Sequence, residues 1–291
     1  MVIWAACDPW VIPFVGQVRY QMGARTDDMT PFEIFGENRP VPVPVPGRGH
    51  GHRRGGGRWL VTCDHASNTV PPDVCGGNLG IAPEDMARHI AWDVGAEGVA
   101  RALGAALDSP VICSRFSRLV MDANRGVEDP TLVMQLYDGT IIPGNARISA
   151  QEVAQRVQTL YRPYHDAVAR LAAGRDDTVI VAVHSFTPCL RGRAPRPWEV
   201  GVLYAHQDAR LSRPLIAGLR AGGDLCVGDN EPYDGYLPGD SIDLHALQRG
   251  RLNTLIEVRN DLIFSSAGQQ AWGVRLAPYL VAALEVCDAT G

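Results

Sequence analysis

The sequence predicts a three-layer α/β domain built on a mixed, mostly parallel sheet. Three observations predict it. From Trp59 onward, short apolar runs alternate with longer segments of helical period, the pattern of strand–helix–strand units. The run at residues 59–63 reads as a strand buried on both faces, 178–183 is the strongest central-strand signal, and 252–258 is a further strand-like run. Each of them stops abruptly at polar residues, and the carboxyl ends of strands are where α/β sheets bind ligands.

In chain order, residues 1–57 read as an N-terminal extension and linker, and residues 58–291 as the main domain. Pro40-Val41-Pro42-Val43-Pro44-Val45-Pro46 must be extended, because each proline fixes φ and lacks an N–H. The Gly/Arg/His-rich tract 47–57 has linker composition, and nothing in it preorganises His50 and His52 for a metal. Phe32, Ile34 and Phe35 are apolar enough to pack on the main body, and Met29 offers an alternative start.

Trp59 opens the first strand, and a Pro/Gly/Asn-rich loop follows at 71–80. A helical pattern covers 84–107, with Met86, Ile90, Val94 and Val99 on one side. Strands are expected at 110–113 and 119–121, then a polar loop at 122–147. Ser149 and Glu152 have the spacing of a capping box, which opens a helix that ends near Gly174. Strands at 178–183, 200–205, 225–227 and 252–258 follow, with a helix at 208–221. Ser266 and Gln269 have the spacing of a second capping box, opening a terminal helix through Leu284.

Composition narrows the function. With 46% hydrophobic and 20% charged residues, the 291-residue chain can bury a sizeable core. A net charge of -5 with no basic stripe argues against nucleic acid as a partner. The seven cysteines are scattered, without a C-x-x-C pair, which suits free thiols rather than a disulfide framework. There is no basic n-region at the start and no run near the roughly 18 apolar residues of a membrane span, so the expectation is a cytoplasmic protein.

His65 and His184 each follow directly on an apolar run. In one parallel sheet both would project from the same edge, a geometry able to share a metal ion, although either could simply bond a loop carbonyl. Glu257 lies within the last apolar run, where a carboxylate is costly unless paired or near a cation. Beside a metal it would be a general base; otherwise it would pair with an arginine such as Arg259. Asp93, one helical turn from His89, can complete a His/Asp/His set or be a solvated acid. Asn68 cannot supply a carboxylate, so His65 and Asn68 are not a His-x-x-Glu pair. Arg118, Asn124 and Arg125 stand in a polar run that also holds Arg115 and Asp122, suited to a substrate with acidic groups. Ser185, His245, Arg259 and Tyr236 are further candidate contacts.

At these residues the chain resembles the N-formylglutamate amidohydrolase family. The matching pieces are Cys63-Asp64-His65-Ala66-Ser67-Asn68, Trp92-Asp93-Val94-Gly95-Ala96, the stretch from Ser117 to Arg125, Val183-His184-Ser185-Phe186, and Ile256-Glu257-Val258-Arg259-Asn260-Asp261. The resemblance implies a fold like that of the zinc carboxypeptidases and phosphorylase/hydrolases, with residues 58–291 as an amidohydrolase domain. It implies zinc, or another divalent metal such as cobalt, held by His65, His184 and Asp93, with Glu257 as general base. The implied reaction is hydrolysis of the formamide of an acidic N-formyl or N-acyl amino acid, with Arg118, Arg125 or Arg259 gripping oxyanion and carboxylates. Readings that keep the fold but change the work are a cell-wall amidase, an aminoacylase, and a non-catalytic protein that binds acidic metabolites. The implied partner is a small molecule, not nucleic acid or membrane, and the chain is free to form a homo-oligomer.

Overall fold

The apolar runs become the middle of one sheet because each must be covered on both faces. The computed structural model describes residues 30–36 and 57–290. Its strands are β1 (Phe32–Phe35), β2 (Trp59–Cys63), β3 (Val111–Ser114), β4 (Leu136–Tyr137), β5 (Thr140–Ile141), β6 (Val179–Phe186), β7 (Val200–Leu203), β8 (Val227–Asp229) and β9 (Asn253–Arg259). Its α-helices are α1 (Pro83–Met86), α2 (Ala96–Ala106), α3 (Ala150–Arg156), α4 (Arg162–Ala172), α5 (Ser212–Ala221), α6 (Ser241–His245) and α7 (Ser266–Thr290).

Seven strands form one sheet in the order β1-β3-β2-β6-β9-β7-β8, while β4 and β5 make a separate hairpin. The strands β3, β2, β6 and β9 run parallel to one another; β1 is antiparallel to β3, and β7 to β9. The pleat divides the side chains between two cores. Trp59, Val61 and Cys63 join Val99 and Leu103 of α2, Leu215 of α5 and Leu276 of α7 on one face. Leu60, Ile180 and Ala182 join Tyr164 and Val168 of α4 on the other. This is the three-layer, mostly parallel architecture that the sequence predicts.

Several boundaries differ from expectation. The helix expected over 84–107 is two helices, α1 and α2, joined by turns. Gly95 breaks it: its φ of +82° is left-handed, and a Cβ there would lie 2.3 Å from the Ile263 carbonyl oxygen. Asp93 therefore sits in a loop, not on a helix face shared with His89. Residues 119–121 are a buried turn rather than a strand; the Val120 N–H donates locally to the Ser117 carbonyl (2.9 Å) and joins no ladder.

The capping box at Ser149 and Glu152 forms as expected. The second does not. Ser265 caps α7 instead, its Oγ accepting from the Gly268 N–H (3.1 Å), while Gln269 Nε2 donates to the Ile263 carbonyl (3.0 Å). Phe32, Ile34 and Phe35 do pack on the body, as part of the edge strand β1. The polyproline stretch, His50, His52 and Met29 lie outside the described residues. The six described cysteines are free thiols, and no helix among the described residues is long and apolar enough to cross a membrane.

The helices α2 and α7 touch through small residues. A Cβ at Gly273 would stand 2.5 Å from Ala102 Cβ and 2.7 Å from the Leu103 nitrogen. Forcing bulk into such a contact typically costs about 1–3 kcal/mol. The substitution Gly273→Val should lower stability by that amount in urea denaturation with an unchanged m-value; an unchanged midpoint would contradict this helix contact.

Candidate metal centre

The register of the sheet brings the polar ends of β2, β6 and β9 together. His184 pairs with Glu257 across β6 and β9, so the two side chains share a sheet face with Ala182 and Leu255. His65 lies two residues beyond the end of β2. Asp93 reaches the same point from its loop, which is tied to β2 by the Asp93 N–H donating to the His65 carbonyl (2.9 Å).

One oxygen of Asp93 is central. Its Oδ2 lies 2.8 Å from His184 Nδ1 and 3.3 Å from His65 Nδ1, and the Ser185 N–H points to it from 3.4 Å. The ligand atoms of His65, Asp93 and His184 all lie within 4.8 Å of one another, and all three side chains are buried. The far nitrogen of each ring faces an acid. His65 Nε2 is 2.6 Å from Asp122 Oδ1, and His184 Nε2 is 3.4 Å from Asp64 Oδ2. Asp122 also accepts from Arg118 Nη2 (2.8 Å); Asp64 Oδ1 accepts from the Tyr164 and Ser241 hydroxyls.

These contacts define the electrostatics. With the His65 Nε2–H donating to Asp122, and His184 Nε2 facing Asp64 without a hydrogen bond, both Nδ1 atoms converge on Asp93 Oδ2, an arrangement that suits a cation among the three atoms. Without a metal, a proton answers the same demand. Burial alone would favour neutral His184, but Asp64 and Asp93 on its two nitrogens push its pKa well above the ordinary imidazole value. Burial would likewise raise Asp93 and Asp122. Instead the His65 imidazole beside Asp93, and the Arg118 guanidinium beside Asp122, hold both carboxyls well below the usual range. Glu257 shows the opposite: burial pushes it up to about 7, with the Asp93 charge adding to the effect.

The residues fit a divalent metal ion. Two imidazoles and a carboxylate are a common three-ligand set for catalytic zinc, and an acid on the far nitrogen of each histidine is the usual support. Glu257 Oε2, Asp64 Oδ2 and His184 Nε2 are buried with no hydrogen-bond partner among the described residues. Asp93 and Asp122 share the Arg118 guanidinium, Asp64 and Glu257 have no arginine in ion-pair contact among the described residues, and a cation would offset the remaining negative charge.

A cavity of about 320 Å³ opens over the centre, and His65, Asp93, His184 and Glu257 line it. Arg118, Asn124, Arg125, Ser185 and Tyr236 also line it. Arg118 is engaged with Asp122 and Asp93, so it organises the ligands; the Ser185 hydroxyl donates to the Val94 carbonyl (2.9 Å).

Two expected contacts are elsewhere. His245 is buried and stacked on His165, with Nε2 2.8 Å from its Nδ1, and burial takes its pKa down to about 3. Arg259 donates to Asp261 (2.8 Å) and to the Trp198 carbonyl (3.3 Å), outside the cavity. Asn68, already excluded as a ligand, donates to the Met86 carbonyl (2.9 Å).

The supports Asp64, Tyr164 and Asp122 were not assigned from sequence. Tyr164 belongs to the apolar stripe of α4, which hides its hydroxyl. Asp122, four residues after Arg118, was the visible clue, since an acid at that spacing can meet the arginine side chain.

With this geometry in view, comparison with known families matches residues 57–264 to the family described as N-formylglutamate amidohydrolase. The chain belongs to the N-formylglutamate amidohydrolase family. All the ligands and supports just described fall inside the matched span.

A search of curated protein sequences returns no match. Among solved structures, a gene product of Agrobacterium tumefaciens is 39% identical, with a TM-score of 0.72, and the match covers 79% of this chain and 91% of that one. The N-formylglutamate amidohydrolase of Ralstonia eutropha JMP134 is 20% identical with a TM-score of 0.59, covering 90% and 98%, a likeness of fold. A metallo-carboxypeptidase of Burkholderia cenocepacia is more distant, at 13% identity and a TM-score of 0.38, covering 91% and 67%.

In this amidohydrolase-family chain the acid beneath His65 should matter for metal binding even though it is no ligand. Asp122→Ala should weaken zinc or cobalt binding about 10- to 100-fold in a chelator-competition titration. Unchanged affinity would mean that the ion does not use His65 Nδ1.

Proposed function

We propose that this protein is a metal-dependent amidohydrolase that cleaves the N-formyl amide of an acidic amino acid, N-formylglutamate being the type. The products are formate and the free amino acid. The observation that carries the reading is the convergence of two imidazole Nδ1 atoms and a carboxylate oxygen beside the buried carboxylate of Glu257. Family membership supplies the reaction class.

His65, Asp93 and His184 would hold the ion, zinc in our reading. When bound it supplies Lewis acidity, making water acidic near neutral pH and polarising a carbonyl. The protein's own groups do the rest. Glu257 takes a proton from the water that attacks the formyl carbon and returns it to the amide nitrogen as the C–N bond breaks. The Glu257 oxygen without a partner among the described residues is available for that transfer. Asp122 holds the His65 imidazole by a hydrogen bond, and Asp64 faces that of His184. Arg118 stabilises Asp93 and Asp122 and adds positive charge to the cavity wall.

Arg125 binds a substrate carboxylate in this account. Its Nη1 donates to the Asn124 carbonyl (2.8 Å) and its Nε to Thr131 Oγ1 (3.3 Å), so the fork is fixed while its charge has no carboxylate partner among the described residues. Asn124 is braced in turn by the Ser241 N–H, which donates to its Oδ1 (3.2 Å).

The test pairs metal content with turnover of a panel of N-formyl and N-acetyl amino acids. Removing the metal with a chelator should abolish hydrolysis, and zinc or cobalt should restore it. Glu257→Gln should lower kcat by about 10²- to 10⁴-fold, the usual range for a general base, while retaining the metal. A metal-loaded protein that hydrolyses none of the panel would overturn the reading.

A further inference from the structure

The arginines in and near the cavity differ in what neutralises them. Arg118 faces Asp122 and Asp93, Arg88 faces Asp85 and Asp138, and Arg259 faces Asp261. Besides Arg125, one more arginine, packed behind side chains that line the cavity, has no carboxylate partner among the described residues. It is Arg196, in the loop after β6. Its Nη1 donates to the Thr187 carbonyl and its Nη2 to Tyr233 Oη, both at 3.0 Å. The guanidinium carbon stands 5.0 Å from the Tyr233 ring centre and 5.7 Å from that of Phe186. Phe186, Thr187 and Tyr233 all line the cavity.

This cation is held as a binding group would be. Two rings and a carbonyl fix its plane, so little side-chain freedom is lost on engaging a ligand. Because Tyr233 Oη accepts from Arg196, its own hydrogen remains available. A phenol is neutral at physiological pH, so Tyr233, half-exposed at the cavity, serves there as a donor.

The loop that carries Tyr233 is fixed too. A Cβ at Gly201 of β7 would lie 2.1 Å from the Glu231 carbonyl oxygen, and one at Gly235 would lie 2.1 Å from the Tyr204 nitrogen. Backbone packs on backbone at both ends of the segment.

We propose that Arg196 and Tyr233 form a second carboxylate-binding subsite, which receives the side-chain carboxylate of the substrate while Arg125 receives the other. The inference rests on the proposed function in taking the substrate to be an acidic amino-acid derivative. It adds which residues select the second acid. Two unneutralised arginines on different loops match the two carboxylates of such a molecule, and a neutral phenol beside one of them supplies a further hydrogen bond.

Two readouts test it on the full-length protein. The first is kcat/KM for N-formylglutamate and for N-formylglutamine, its neutral counterpart, in wild type, Arg196→Gln and Tyr233→Phe. The second is calorimetric titration with glutarate, which needs no turnover. Loss of a charge-assisted hydrogen bond corresponds to about a 10- to 100-fold effect. Arg196→Gln should reduce the preference for N-formylglutamate over N-formylglutamine by that factor, mainly through KM, and weaken glutarate binding in parallel. Tyr233→Phe should act in the same direction and less strongly.

The subsite is overturned if Arg196→Gln leaves both the preference and glutarate binding unchanged, if both substrates lose equally, or if wild type does not bind glutarate. If wild type binds glutarate through Arg196 yet hydrolyses neither substrate, the catalytic reading fails and the subsite stands.

Discussion

One carboxylate oxygen, Asp93 Oδ2, lies between the Nδ1 atoms of two buried imidazoles, at 2.8 and 3.3 Å. A carboxylate out of water is costly unless other groups compensate it, and here only 3% of Asp93 is exposed. The structure around it can be understood as that compensation. The parallel pairing of β2, β6 and β9 brings His65, His184 and Glu257 to one edge. The interruption between α1 and α2 lets Asp93 approach from a loop, with its N–H on the His65 carbonyl. Asp122 and Asp64 stand at the far nitrogens, and the two Nδ1 atoms face the same point.

The sheet and the loops divide the work. The parts that must not move, the two histidines and Glu257, are on or directly after central strands buried on both faces. The groups proposed to meet a substrate's charges, Arg125, Arg196 and Tyr233, are on loops pinned by carbonyl and ring contacts. Loops on a rigid scaffold are where recognition commonly resides, and here close backbone contacts at Gly201 and Gly235 limit their freedom.

The central strands were legible in the sequence because burial on both faces demands apolar runs, and the polar residues ending those runs are the ones the sheet brings together. His65, His184 and Glu257 needed no more than that. Asp93 was found by residue type but with the wrong local structure. The apolar spacing from Met86 to Val99 imitates one helix, and the left-handed conformation at Gly95 that breaks it is set by packing against Ile263. His245 and Arg259 looked like mouth residues because they are polar and near strand ends, yet tertiary partners, His165 and Asp261, take them out of the cavity. Arg196 was invisible for the complementary reason. Its stacking on Phe186 and Tyr233 joins residues 10 and 37 positions away, and no local pattern encodes it.

The central claim is that His65 and His184 present Nδ1, not Nε2, to a single ion shared with Asp93. A crystal structure of the zinc-loaded protein, with anomalous data at the zinc edge, tests it most directly. The account predicts one strong buried peak bonded to both Nδ1 atoms and to an Asp93 oxygen at about 2.0–2.2 Å, with the Nε2 atoms still on Asp122 and Asp64. A peak on Nε2, or none at this point in protein that binds zinc stoichiometrically, would contradict it.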